Sequence, residues 1–140
     1  MTTANADLRV GNLMTIDPIT IGPEESASRA ETLLKTYRIS GLPVVDGGDL
    51  VGVLSQSDLM VAHSSEIIGA HWERMKVRHV MSSPALTVHA AATVAMAARQ
   101  MILRHVHRLV VVGDDGRPVG VVTPLDLLRS LLEDPETPMG

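Results

Sequence analysis

Residues 52–60 read GVLSQSDLM, and residues 120–128 read GVVTPLDLL. Both stretches consist of a glycine, two aliphatic residues, a serine or threonine, two variable residues, an aspartate and further apolar residues. A hydroxyl residue followed three positions later by an acidic residue is typical of a helix N-terminus, where both side chains cap the backbone. A strand that leads into a helix start also favours anion binding. The pattern therefore allows two interpretations, helix capping and ligand binding.

These two stretches belong to a longer internal repeat. Met14 aligns with Met81 at a spacing of 67 residues, and Asp58 aligns with Asp126 at a spacing of 68. One additional residue in the turn GDDGR explains the change of spacing. The chain is therefore divided into repeat 1 (10–63), a connector (64–76), repeat 2 (77–132) and two tails (1–9 and 133–140).

Each repeat predicts the same order of elements, β-α-β-β-α, after a short amphipathic lead-in, VGNLM or VRHVM. The first strand is ITI (19–21) or LTV (86–88), and a helix follows that Ser26 or Thr93 can cap. Two aliphatic strands joined by a Gly/Asp turn come next, and the last helix begins at Ser55 or Thr123. Gly52 and Gly120 lie inside predicted strands, which indicates a bulge or the close approach of another group.

The predicted fold class is α+β, with the two repeats packed sheet to sheet about a pseudo-two-fold axis. A repeat of this size with many aliphatic residues cannot easily bury its sheet face alone, so we expect each repeat to cover the other. A cleft on each side of the join would result.

Composition narrows the possible functions. The 140 residues have a net charge of −4 and contain no cysteine. The acidic balance argues against nucleic acid or anionic membrane as a partner. No apolar run approaches the 18 residues that predict a membrane span. The absence of cysteine excludes disulfides and thiolate chemistry and fits a cytoplasmic location.

The duplicated motif, together with SGLPVVD at 40–46, resembles a tandem pair of CBS (cystathionine-β-synthase) domains, or Bateman module. The resemblance covers about residues 10–132 and implies a stand-alone module of this kind. It implies binding of adenosine-containing ligands in clefts between the repeats. AMP, ADP or ATP are the first expectation and S-adenosylmethionine the next.

The resemblance also implies roles for individual residues. Asp58 and Asp126 would hold the ribose hydroxyls, and Ser55 and Thr123 would contact ribose or phosphate. The remaining residues would flank the nucleoside or present backbone to the adenine edge; they are Thr20, Ile21, Gly41, Leu42, Pro43, Thr87 and Val88. Repeat 2 departs from the family pattern, because Val110 replaces the proline and Gly113 replaces the aspartate after the strand.

Basic residues precede the second strand of repeat 2. His107 and Arg108 align with Ser40 and Gly41, and the resemblance implies that they contact ligand phosphates. The alternative is a solvated helix end, where cations are favourable. The histidines show no firm metal-ligand spacing, so no metal site is predicted. Trp72, in the connector, is predicted to be a packing anchor at the join or a dimer contact.

The favoured function is a regulatory module that senses an adenine nucleotide and signals by conformational change to a regulated protein that the sequence does not identify. The alternative is a ligand-independent dimerisation or scaffold module, since the resemblance implies homodimers. No nucleophile–base arrangement is visible, so we predict no catalytic activity.

Overall fold

A computed structural model describes residues 8–16 and 19–132, and it confirms the predicted α+β class. The predicted tails lie largely outside these residues. The helices are α1 (Val10–Leu13), α2 (Ala27–Tyr37), α3 (Gln56–Ser64), α4 (Glu66–Ala70), α5 (Val77–Val80), α6 (Val94–Arg104) and α7 (Pro124–Leu132), with a 3₁₀ turn at Trp72–Arg74. The strands are β1 (Thr15–Ile16), β2 (Gly41–Asp46), β3 (Asp49–Ser55), β4 (Thr87–His89), β5 (Leu109–Val112) and β6 (Pro118–Val122).

Contacts divide the chain into two compact units. One unit comprises Ile19–Ala85 and is called here the Asp58 unit. The other combines the described residues before Ile19 with those from Leu86 onward and is called the Asp126 unit. Each unit has its own apolar cluster, built from buried leucine, valine and alanine side chains of its sheet and helices.

The Asp126 unit contains a four-stranded sheet in the order β1-β6-β5-β4. Strands β5 and β6 form an antiparallel hairpin in which Leu109 pairs with Val122. Strand β4 lies parallel to β5 on one side, and β1 lies antiparallel to β6 on the other. Helices α6 and α7 follow the order that the repeat predicts.

The Asp58 unit has the same arrangement in reduced form. Strands β2 and β3 form an antiparallel hairpin, Ile21 makes a parallel bridge to Val44, and Ser82 makes an antiparallel bridge to Val53. The predicted strand at 19–21 is therefore wrong as a strand, because only Ile21 pairs. Pro43 has no N–H with which to extend that ladder.

In repeat 2 the residue equivalent to Pro43 has an N–H, and the first strand is longer. Val110 occupies the place of Pro43, and its N–H donates to the carbonyl of Leu86 at 3.1 Å. The neighbouring ladder then includes all three residues of β4. The departure of Val110 from the family pattern therefore has a local consequence, a longer first strand in repeat 2.

Each of the two lead-in segments packs against the other sequence repeat and not against the one that it precedes. The N–H groups of Val10 and Gly11 donate to the carbonyls of Ala92 and Ala90, both at 2.9 Å, so α1 joins the Asp126 unit. The N–H of Val77 donates to the carbonyl of Glu25 at 2.8 Å, so α5 joins the Asp58 unit. The compact units therefore differ from the sequence repeats, because each lead-in segment packs with the other copy.

Side chains cap the helices as the sequence predicts. The hydroxyl of Ser26 accepts from the N–H of Arg29 at 3.0 Å, and that of Thr93 accepts from the N–H of Met96 at 3.1 Å. Both of these helices end in a left-handed residue that is not glycine, Arg38 with φ of 53° and His105 with φ of 55°.

Candidate ligand-binding sites

The motif of repeat 1 forms a complete capping box at the end of β3. Ser55 precedes α3, and its hydroxyl accepts from the N–H of Asp58 at 3.1 Å. In return, Oδ2 of Asp58 accepts from the N–H of Ser55 at 2.9 Å and from its hydroxyl at 3.0 Å. The capping interpretation is therefore confirmed for this copy.

The motif of repeat 2 repeats this geometry. Oδ2 of Asp126 accepts from the N–H of Thr123 at 2.9 Å and from its hydroxyl at 3.1 Å. The N–H of Asp126 donates to that hydroxyl at 3.4 Å. Pro124 is the first residue of α7, where its missing N–H costs nothing. Asp126 is only 8% exposed, and a guanidinium nitrogen of Arg129 lies 3.8 Å from its Oδ1.

A residue outside the motif also contacts Asp58. The hydroxyl of Ser82 donates to Oδ1 of Asp58 at 2.7 Å. The sequence analysis missed this residue, although Ser82 aligns with Thr15 and both are hydroxyl residues that follow a methionine. Among the described residues, no hydrogen bond joins Thr15 to Asp126. The two carboxylates therefore differ in the surroundings of Oδ1.

The two motif glycines are explained by close approach of the exchanged segments. A Cβ atom at Gly52 would lie 2.7 Å from the carbonyl oxygen of Ser82, and one at Gly120 would lie 2.6 Å from that of Thr15. Met81 and Met14 approach the same positions with their sulfur atoms. The structure bears out both explanations that the sequence offered, because each hairpin also has a bulge beside its glycine: the register shifts between Val44 and Val45 next to Gly52, and between Val111 and Val112 next to Gly120.

The predicted nucleoside-flanking residues lie along the sheets of their own units. Ile21 and Val88 belong to the apolar clusters, and Leu42 and Pro43 are also buried. Thr20 is exposed and Thr87 is half-buried. Gly41 pairs in register with Ser55, which places the GLP backbone beside the motif hydroxyl. Within this unit, therefore, Gly41, Ser55 and Asp58 come together.

The basic residues of repeat 2 occupy two different environments. Arg108 is half-buried and precedes Leu109, which pairs with Val122, so Arg108 stands at the level of Thr123. His107 is exposed and lines an open apolar groove of about 680 Å³ between α6 and α7. The structure thus brings Arg108, Thr123 and Asp126 to one end of the β5–β6 hairpin.

Trp72 packs against the apolar cluster of the Asp58 unit. Its indole ring lies 4.2 Å, centroid to centroid, from the imidazole of His63, whose Nε2 is 2.8 Å from a carboxylate oxygen of Glu31. The described contacts of Trp72 lie within the Asp58 unit, whereas the two roles predicted for it, an anchor at the join and a dimer contact, stay predictions. In the described part of the chain, no group of three or more acidic or histidine side chains is arranged to hold a metal ion.

The helices of residues 8–16 and 19–132 include none with the length and apolar character that a bilayer-spanning segment needs.

Comparison with known proteins decides the family. The family model of the CBS domain matches residues 10–65 and 77–133 of this chain. This chain belongs to the CBS-domain family. Its two CBS motifs are the two sequence repeats, and the residues at the strand-to-helix junctions are Ser55 and Asp58 in one and Thr123 and Asp126 in the other.

Solved CBS pairs resemble the chain over most of its length. The crystal structure of CBSX2 in complex with AMP has 30% identity and a TM-score of 0.79, and the match covers 90% of this chain and 97% of that one. CBSX2 from Arabidopsis thaliana gives the same TM-score in a second structure at 28% identity, covering 94% and 99%. The CBS pair of protein MJ0100, in complex with 5′-methylthioadenosine and S-adenosylmethionine, has 28% identity and a TM-score of 0.77, covering 86% and 93%.

The curated relatives include longer proteins. Inosine-5′-monophosphate dehydrogenase of Korarchaeum cryptofilum (strain OPF8) is 31% identical over 124 residues, which are 89% of this chain but 24% of the dehydrogenase. Across the first four relatives, the chain spans between 21% and 61% of their length. The similarity to the dehydrogenase is therefore confined to the part that matches a CBS pair.

Proposed function

We propose that this CBS pair is a regulatory module that binds an adenosine-containing ligand and signals to a partner protein by a change of conformation. The main support is the duplicated junction, at which a hydroxyl, a carboxylate and a helix start coincide in each unit. Solved CBS pairs of similar sequence hold AMP or 5′-methylthioadenosine and S-adenosylmethionine. The proposal extends this ligand class to the present chain, with AMP, ADP or ATP first and S-adenosylmethionine next.

The carboxylates retain acceptor capacity for a ribose diol. An ionised carboxylate can accept about four hydrogen bonds. Oδ2 of each aspartate already accepts two from its own motif, so a ligand would bond to Oδ1. At Asp58 the ligand would share Oδ1 with Ser82. Charge-assisted bonds of this kind contribute about 1.5–3 kcal/mol each, which is sufficient to fix the ribose.

The helix starts supply the second half of the proposed sites. Helices α3 and α7 are nine residues long, and their first turns present backbone N–H groups and the positive end of the helix dipole. Phosphates or other polar groups of a ligand would lie there. The proposal assigns no catalysis, because within residues 8–16 and 19–132 the hydroxyls of Ser55 and Thr123 have no general base in hydrogen-bonding reach apart from the capping aspartate.

Calorimetric titration of the purified chain with AMP, ADP, ATP and S-adenosylmethionine tests the proposal. We expect at least one ligand to bind, and at 100 times its Kd to raise the free energy of unfolding by about 2.7 kcal/mol. Asp58→Asn and Asp126→Asn should each weaken binding roughly 10–150-fold at one site. Asp49→Asn, at the exposed start of β3, is the control. Absence of heat and thermal shift at millimolar ligand would overturn the proposal.

A ligand-independent dimerisation module is the second candidate, and exposed apolar residues favour it. Ile102 on α6 is 72% exposed and Leu128 on α7 is 57% exposed, and both line the apolar groove of the Asp126 unit. We propose that a second copy covers these helices, giving a homodimer. Light scattering should then report a dimer that Leu128→Asp converts to a monomer. A monomeric wild-type chain would exclude this candidate.

Both candidates include a cytoplasmic location, which the cysteine-free sequence supports.

A further inference from the structure

The two motif aspartates differ in how many hydrogen bonds they already accept. Asp58 accepts three, two at Oδ2 from Ser55 and one at Oδ1 from the hydroxyl of Ser82. Among the residues that the structure describes, Asp126 accepts two, both at Oδ2 from Thr123. An ionised carboxylate can accept about four. Asp58 therefore has about one acceptor position left for a ligand, whereas Asp126 has about two.

Backbone pairing holds the hydroxyl of Ser82 at Oδ1 of Asp58. The N–H and the carbonyl of Ser82 form a reciprocal pair with Val53, with both bonds at 2.9 Å. The hydroxyl of Ser83 donates to the carbonyl of Val51 at 2.8 Å. These bonds attach the segment after α5 to β3, and the segment and the carboxylate belong to the same compact unit. A ligand that approaches Asp58 therefore meets a hydroxyl that is already bound there.

Oδ1 of Asp126 receives no corresponding hydroxyl within the described part of the chain. Thr15 aligns with Ser82, yet no hydrogen bond joins it to Asp126. A guanidinium nitrogen of Arg129 lies 3.8 Å from Oδ1, which exceeds hydrogen-bonding distance. The Arg129 side chain is 60% exposed, so water weakens this ion pair. The acceptor positions of Oδ1 are therefore left for a ligand.

We propose that the two CBS motifs recognise different numbers of ribose hydroxyls. The 2′- and 3′-hydroxyls of a ribose each donate one hydrogen bond. Asp126 can accept both, whereas Asp58 can accept only one while Ser82 stays bound. The Asp126 motif therefore selects adenosine compounds with an intact ribose diol, and the Asp58 motif also takes those in which one hydroxyl is absent. This inference rests on the proposed adenosine-binding function and adds the ligand class of each motif.

AMP, 2′-deoxy-AMP and 3′-deoxy-AMP are matched probes, because each deoxy compound lacks only one ribose hydroxyl. Calorimetry on the Asp58→Asn chain reports binding at the Asp126 motif, and calorimetry on the Asp126→Asn chain reports binding at the Asp58 motif. At the Asp126 motif, loss of either hydroxyl should weaken binding about 10–100-fold. At the Asp58 motif, one of the two deoxy compounds should bind within about threefold of AMP, because that carboxylate accepts from one hydroxyl only.

Substitution of Ser82 tests the cause of this difference. In the Asp126→Asn chain, Ser82→Ala frees Oδ1 of Asp58, so AMP affinity should rise roughly 3–10-fold and loss of either hydroxyl should now weaken binding. Ser82→Thr keeps the hydroxyl and should bind all three probes as the parent chain does. Thr15→Ala in the Asp58→Asn chain is the control at the other motif and should leave AMP affinity unchanged.

Two results would overturn the inference and leave the adenosine-binding function standing. One is an equal penalty at both motifs for each deoxy compound. The other is an Asp126→Asn chain in which Ser82→Ala neither raises nor restores AMP binding, although the wild-type chain binds AMP. If AMP, ADP, ATP and S-adenosylmethionine all give no heat with the wild-type chain, the proposed function fails and this inference fails with it.

Discussion

The hydroxyl of Ser82 donates a 2.7 Å hydrogen bond to Oδ1 of Asp58 and so joins the segment after α5 to the first turn of α3. The same segment pairs with β3, because the N–H of Ser82 donates to the carbonyl of Val53 and the carbonyl of Ser82 accepts from the N–H of Val53, both at 2.9 Å. Ser82 therefore forms an edge of the sheet and orients the motif carboxylate at the same time. Any ligand at Oδ1 of Asp58 would compete with it or share its acceptor.

Replacement of Ser82 by alanine should destabilise the chain. The variant leaves one oxygen of Asp58 without its hydroxyl partner, and we expect a loss of about 1 kcal/mol in the free energy of unfolding, measured by urea denaturation. Thr15→Ala is the matched control, because Thr15 occupies the equivalent position in the Asp126 unit and, within the described part of the chain, makes no hydrogen bond to Asp126. The control should change stability by only a few tenths of a kcal/mol. Equal losses in both variants would show that the bond to Asp58 contributes nothing.

Substitution of the motif glycines should be more damaging. In Gly120→Ala the new Cβ would lie 2.6 Å from the carbonyl oxygen of Thr15, a backbone atom that can move only if β1 shifts. We expect a loss of about 1–3 kcal/mol, as for other overpacked sites, and the same for Gly52→Ala. Gly113→Ala is the control, since its Cβ would meet the nearest atom at 3.5 Å. Thermal unfolding of all three variants, monitored by circular dichroism, tests this ranking of their stabilities. A Gly120→Ala variant as stable as Gly113→Ala would contradict it.

Replacement of His105 by glycine should stabilise the folded chain. This residue ends α6 with φ of 55°, a conformation that strains side chains with a Cβ atom, and its side chain is exposed. His105→Gly should therefore raise the free energy of unfolding by about 0.5–1 kcal/mol. Arg104→Gly, one residue earlier and still helical, should lower it by about 1 kcal/mol. Two changes of the same sign in chemical denaturation would contradict the assignment of the helix end.

An ion-pair cluster should make stability depend on pH on the acid side. Hydrogen bonds from Lys76 and Arg78, at 3.1 and 2.6 Å, hold the pKa of Glu24 below its ordinary value. A lowered pKa in the folded state stabilises the fold above the unfolded-state pKa, and this contribution is lost as the pH falls through the folded-state value. We expect wild type to unfold at a higher temperature than Glu24→Gln at pH 7, and the difference to vanish once the pH has fallen through the lowered folded-state pKa of Glu24.

The measurement is thermal unfolding at low salt across that pH range, because the cluster is exposed and salt screens it. Glu73→Gln is the control, since the described residues contain no ion pair to Glu73. A difference between wild type and Glu24→Gln that grows toward low pH would contradict the sign of the shift.

The sequence predicted the local features of the fold well. The capping boxes of Ser55 with Asp58 and of Thr123 with Asp126 depend on residues three positions apart, so a sequence pattern is sufficient to detect them. The caps at Ser26 and Thr93 were predicted on the same basis. The overall α+β class followed from the repeated alternation of aliphatic strands and amphipathic helices.

The failures concern contacts between residues distant in sequence. Ser82 was missed because its partner Asp58 lies 24 positions away and nothing in a serine side chain indicates which carboxylate it will meet. A strand was predicted at 19–21, but only Ile21 pairs with a neighbouring strand. Pro43 explains this, because it has no N–H with which to extend the pairing. The positions of α1 and α5 could not be predicted, since a repeat alignment identifies equivalent segments but not the copy against which each one packs.

The exchange of the lead-in segments has a consequence for how the chain can be cut and rejoined. A break in the connector would separate the two sequence repeats, yet each fragment would lose the edge segment that completes its own sheet. A circularly permuted gene that begins at Ile19 and links the old termini would instead make each compact unit continuous along the chain. In topological terms, the natural order of this protein interleaves two structural units, and a permuted order would lay them end to end.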